Sequence, residues 1–74
     1  MSNVYEVMNE VRSRDWFPNT RWTELTYVDD NIIEVQIPRI KPKGLTDLQE
    51  MNQINIERIG GALEDGITIV LEVQ

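Results

Sequence analysis

The spacing of apolar residues predicts an α+β fold: two helices on one face of a small three-stranded sheet, antiparallel or mixed, in chain order α-β-β-α-β. Three observations lead there. Val4, Val7, Met8 and Val11 recur at the i, i+3, i+4, i+7 spacing of one buried helical stripe. Asp29-Asp30-Asn31 separates two segments of alternating apolar residues, and Ile67 to Val73 is an almost unbroken, β-branched apolar run.

The first helix is expected to start at a Ser2 cap and to run to about Arg14, because Pro18 disfavours helical geometry at Phe17. Trp22 to Val28 and Ile32 to Ile37 then read as paired strands. A three-residue loop places Leu25 and Tyr27 on the face of Ile33, Val35 and Ile37, giving one apolar face. A two-residue loop sets them beside Glu34 and Gln36 instead. The three-residue loop also puts Asn31 at the left-handed position, which Asn tolerates. Pro38 to Gly44 reads as a basic, stiff connector, since its prolines supply no ladder donors.

Thr46-x-x-Gln49 has the spacing of a capping box, so the second helix is expected to begin there. On a helical wheel Leu48, Met51, Ile59, Ala62 and Leu63 share one side, with Asp47, Glu50, Glu57, Glu64 and Asp65 opposite, which favours a helix to about Glu64 closed by Gly66. Two features oppose that length. Gly60 and Gly61 each cost about 1 kcal/mol inside a helix, and Gln53 to Arg58 alternates as a strand does, so the alternative ends the helix at Ile59. The last strand, Ile67 to Val73, is expected at the sheet edge, where its apolar surface would favour a homodimer.

The 74 residues form a single domain, 1–74, and a chain of this size needs additional support for its small core. With no Cys and no His, disulfides, thiolate or imidazole metal sites and Cys or His nucleophiles are excluded. Ser2 and Ser13 have no imidazole to activate them, no phosphate-binding glycine motif or calcium loop occurs, and the two Asp residues at 29 and 30 are explained by a turn. The expectation is a protein that is not an enzyme and takes no cofactor or metal. No export signal is read, and no apolar run approaches the roughly 20 residues that span a bilayer, so a cytoplasmic location and no membrane partner are expected.

The net charge of −6 is unevenly distributed, with −1 in residues 1–43 and −5 in residues 44–74. This balance disfavours direct nucleic-acid binding through Arg12, Arg14, Arg39, Lys41 and Lys43. Two candidate binding surfaces follow. The first is the acidic side of the second helix, Asp47, Glu50, Glu57, Glu64 and Asp65 with Ile54 among them, suited to a basic partner; its plainer reading is a solvated helix face. The second is Arg12, Arg14, Trp16, Phe17, Arg21 and Trp22, rich in residues favoured at interface hot spots; its plainer reading folds Trp16 or Phe17 over the core.

In size, acidity and lack of catalytic side chains the chain resembles small phage-encoded inhibitors of bacterial defence, including anti-CRISPR and anti-restriction proteins. The resemblance implies an inhibitor acting inside a bacterial host. It would dock on a basic nucleic-acid-handling protein and block its nucleic-acid site. The alternative is a homodimeric assembly or regulatory adaptor that presents the aromatic and arginine loop.

Overall fold

The structure, a computed structural model, describes residues 3–62 and 66–74. Its order is α1 (Val4–Arg12), β1 (Glu24–Asp29), β2 (Ile32–Ile37), α2 (Pro42–Glu50), β3 (Ile54–Ala62) and β4 (Gly66–Val73). The sheet has four strands rather than three, all neighbours antiparallel, in the order β1-β2-β4-β3. The chain is therefore two successive α-β-β units, whose inner strands β2 and β4 meet at the centre of the sheet.

The core explains this arrangement. Ile33, Val35 and Ile37 of β2 alternate with half-buried or exposed residues, as do Ile67, Ile69, Leu71 and Val73 of β4. The buried residues face Val7, Met8 and Val11 of α1 and Leu48 of α2 in one continuous cluster. Both helices thus lie on the same face of the sheet, and the other face has no cover among the described residues.

Local chemistry sets the element ends. Asn3 caps α1, its Oδ1 accepting from the Tyr5 and Glu6 amides at 2.8 and 3.3 Å; the expected cap, Ser2, lies outside the described residues. The β1–β2 register pairs Leu25 with Val35 and Tyr27 with Ile33, the single apolar face that the sequence predicts. The turn itself differs: Asp29 pairs with Ile32, so the loop has two residues, Asp30 and Asn31, rather than three, and a bulge between Tyr27 and Asp29 keeps the apolar register. Asp30, not Asn31, has positive φ (30°). Asn31 instead fastens the turn to β4, donating from Nδ2 to the Val73 carbonyl at 3.1 Å and accepting the Val73 amide at 2.7 Å.

The second helix departs furthest from the sequence expectation. It begins at Pro42, inside the segment read as a connector, and ends at Glu50. Proline suits a first helical turn because the amide it lacks would have no partner there. Thr46 is interior to the helix, its hydroxyl donating to the Pro42 carbonyl at 3.1 Å, so it is not a cap. Residues 54–62, expected to be helical, form β3, and Gly66 opens β4 rather than closing a helix. A register shift between Ile56 and Arg58 explains the error. The bulge inserts one residue, so Ile54, Ile56 and Ile59 all share the face of β4's Val73, Leu71 and Ile69, with a step of two followed by a step of three that breaks the strand period. Tertiary demand also outweighs local preference, since β4 needs a partner on both edges. For the same reason β4 is no edge strand, and its backbone is not open for the homodimer expected through Ile67 to Val73.

The two glycines distinguish strand from helix experimentally. Gly61 has φ +87°, and a Cβ there would stand 2.3 Å from the Gly66 carbonyl oxygen, whereas one at Gly60 meets nothing within 4 Å. Chemical denaturation should show Gly61→Ala destabilising by at least about 1–2 kcal/mol, the ordinary penalty of a left-handed L residue before any clash, with Gly60→Ala close to neutral. A helix through this segment requires the opposite, a gain of about 1 kcal/mol at each site.

Candidate protein-binding surfaces

One residue of the first sequence-predicted surface, Asp47, meets two of the second, Arg14 and Trp16, along the seam between the helices. Trp16 Nε1 donates to Asp47 Oδ2 at 2.6 Å, and Arg14 Nη1 lies 3.5 Å from Asp47 Oδ1. Gly44 makes the approach possible: a Cβ there would stand 3.0 Å from the Trp16 ring and 2.8 Å from Ile40. Trp16 and Phe17, edge to face at 5.9 Å, pack against the core. The lid reading of these two rings is therefore the one the structure supports. Beside them Lys43 Nζ donates to Asp15 Oδ2 at 2.5 Å and Gln53 Nε2 to Glu10 Oε2 at 3.2 Å. Glu10, Arg14, Asp15, Lys43 and Asp47 border an open groove of about 700 Å³ whose other walls include Ser13, Thr46 and Glu50.

The acidic stripe expected on one helix is dispersed. Asp47 and Glu50 are on α2, Ile54 and Glu57 are on β3, and Glu64 and Asp65 lie outside the described residues. Ile54 is buried in the core rather than framed by carboxylates. The aromatic cluster is divided as well. Arg12 stays exposed, its Nη1 3.3 Å from Asn9 Oδ1, and Arg21 sits 5.7 Å from the centroid of a Trp22 ring that is 72% exposed.

Strand pairing assembles a surface that linear reading missed. On the uncovered face of the sheet Thr26, Glu34, Val70 and Arg58 form one row across β1, β2, β4 and β3. Glu24 pairs with Gln36, Glu34 with Val70, and Ile32 with Glu72, so Glu24, Glu34 and Glu72 are successive diagonal neighbours, roughly 7–8 Å apart. Gln36 Nε2 donates to Glu34 Oε1 at 2.8 Å and helps to hold it. Half-buried Ile32 and Val70 lie among these carboxylates, and Glu57, Arg58 and Val70 line a shallow hollow of about 310 Å³. The only signal for this face in the sequence is the polar half of each strand's alternation, and it could be located only once the strand order was known.

No cluster of three or more potential metal-ligating side chains occurs among the described residues, and none of their polar or charged residues is buried. No family model, curated protein or solved structure matches the chain.

Two expectations follow for the helix seam. Trp16→Phe removes a donor to a carboxylate and should lower stability by about 1–2 kcal/mol, while Trp22→Phe should change it by no more than about 0.5 kcal/mol. Acrylamide should quench Trp22, the one ring left in Trp16→Phe, more steeply than Trp16 in Trp22→Phe. The Lys43 bond lowers the Asp15 pKa from its ordinary 3.8, and the Asp15 bond raises that of Lys43 above its ordinary 10.5. The carboxylate's contribution is present above its ordinary pKa and lost as pH falls through the lowered value. The amine's is complete below its ordinary pKa and lost as pH rises through the raised value. Urea unfolding across pH should show this pair constant through neutrality and weakening only at the two extremes, a dependence that Asp15→Asn removes; the effect is small because both groups are largely exposed.

Proposed function

We propose that the chain is a non-catalytic binding protein that docks on a basic protein surface through the uncovered face of its sheet. In its most specific form, it is an inhibitor that occupies the nucleic-acid site of its partner. The supporting observation is the diagonal of Glu24, Glu34 and Glu72, set around half-buried Ile32 and Val70 on the face that the helices leave open. Apolar side chains between the carboxylates offer contact area that a purely charged patch lacks. The acids favour partners with lysine or arginine at the rim and accelerate encounter at low salt.

A second reading, a homodimeric adaptor presenting the aromatic loop, is favoured by one observation: the outward-facing Arg21 and Trp22 pair. It is narrower than the sequence suggests, because Trp16 and Phe17 pack inward.

Partners captured from the source cell by the unmodified chain should be compared with those captured by Glu24→Lys, Glu34→Lys, Glu72→Lys combined. The reversed face should keep its circular dichroism spectrum and bind the purified partner about a hundredfold more weakly, with the unmodified complex itself weakening as salt rises. Equal affinity would reject the open face. Loss of the complex in Trp22→Ala but not in the charge-reversed protein would move the function to the loop.

A further inference from the structure

Of the five large apolar side chains exposed among the described residues, four border one sheet edge. Tyr27 and Val28 belong to β1, Trp22 precedes it, and Tyr5 of α1 stacks on Tyr27 at 5.9 Å with a 16° interplanar angle. No described residue outside β2 hydrogen-bonds the β1 backbone. The outward amides and carbonyls of this strand are therefore available for pairing.

The two edges of the sheet differ in how they are protected. The outer strand β3 is broken in its middle by the bulge, carries Glu57 and Arg58 there, and continues into Gly60 and Gly61, all features that discourage pairing. In β1 the irregularity falls at the end, between Tyr27 and Asp29, so Glu24 to Tyr27 remain regular. This stretch has no proline, no glycine and no cation.

We infer that β1 pairs with β1 of a second copy of this chain, joining two four-stranded sheets into one of eight strands. The strand is self-complementary in one register. A two-fold axis perpendicular to the sheet keeps both helical layers on the same side, so residues on the same face must oppose one another. With Thr26 at the axis facing its copy, Leu25 opposes Tyr27, and Glu24 faces the bulge at Val28 and Asp29. Within the regular stretch from Leu25 to Tyr27 no charged residues meet. The antiparallel arrangement also brings the Arg21 and Trp22 pair of each copy to the Asp29–Asp30 turn of the other, a favourable pairing of charge repeated at both ends. The second copy would cover the Tyr27 ring, which no helix reaches beyond Tyr5.

This inference is independent of the open face as a docking surface. A monomer would leave that proposal standing, and partner affinity unchanged by charge reversal, which rejects the open face, would leave the dimer standing.

Sedimentation equilibrium should give a dimer at high micromolar concentration, and Thr26→Lys, which sets two ammonium groups face to face at the axis, should give a folded monomer. Arg21→Glu should weaken the dimer at least tenfold. Because the chain has no cysteine, a single one reports position without background. Mild oxidation should cross-link Thr26→Cys as a dimer and leave Asn55→Cys, on the other edge, uncross-linked. A monomer at high micromolar concentration overturns the inference and leaves the edge to a foreign strand. A dimer that survives Thr26→Lys, or that cross-links through Asn55→Cys alone, overturns it as well.

Discussion

The structure depends on β4 having a partner along both edges. Its residues Ile67, Ile69, Leu71 and Val73 are all buried beneath the helices, and its backbone is hydrogen-bonded along both edges. β2 supplies one ladder and β3 the other. Given that requirement, residues 54–62 become a strand despite a helical wheel that segregates acids from apolar residues, and the second helix is confined to nine residues, Pro42–Glu50.

A one-sided layer of helices has a direct functional corollary. Two nine-residue helices can cover only one face of a four-stranded sheet, so the other face must be stable against water. Polar and charged residues meet that need, and the charged ones are mostly carboxylates. Under the proposed function, solubility and recognition draw on the same side chains. The seam between the helices is different: Asp47, Trp16, Arg14, Asp15 and Lys43 already have partners within the chain. A residue type favoured at interfaces is no guide to an interface once an internal partner has claimed it.

Much of the first half was legible in the sequence, because its signals are local. The helical stripe at Val4 to Val11, the turn at Asp29 to Asn31 and the Leu25 and Tyr27 register each follow from residues a few positions apart. The second half was hidden by two exceptions to periodicity. Pro42 reads as a connector residue although it begins a helix, and the bulge at Glu57 shifts Ile59 out of the strand alternation. The acidic face was illegible for a further reason. Glu24, Glu34 and Glu72 are scattered over 49 positions and become neighbours only through the order β1-β2-β4-β3.

The division into two α-β-β units also shapes how the molecule assembles. Each unit contains a hairpin whose strands are close in sequence, and such hairpins form within microseconds, but a lone pair of strands is barely stable in water. Only the β2–β4 seam joins one unit to the other within the sheet. Native stability therefore arrives in one cooperative step, when Ile33, Val35 and Ile37 zip against Leu71, Ile69 and Ile67. Until that closure, neither half has a reason to persist.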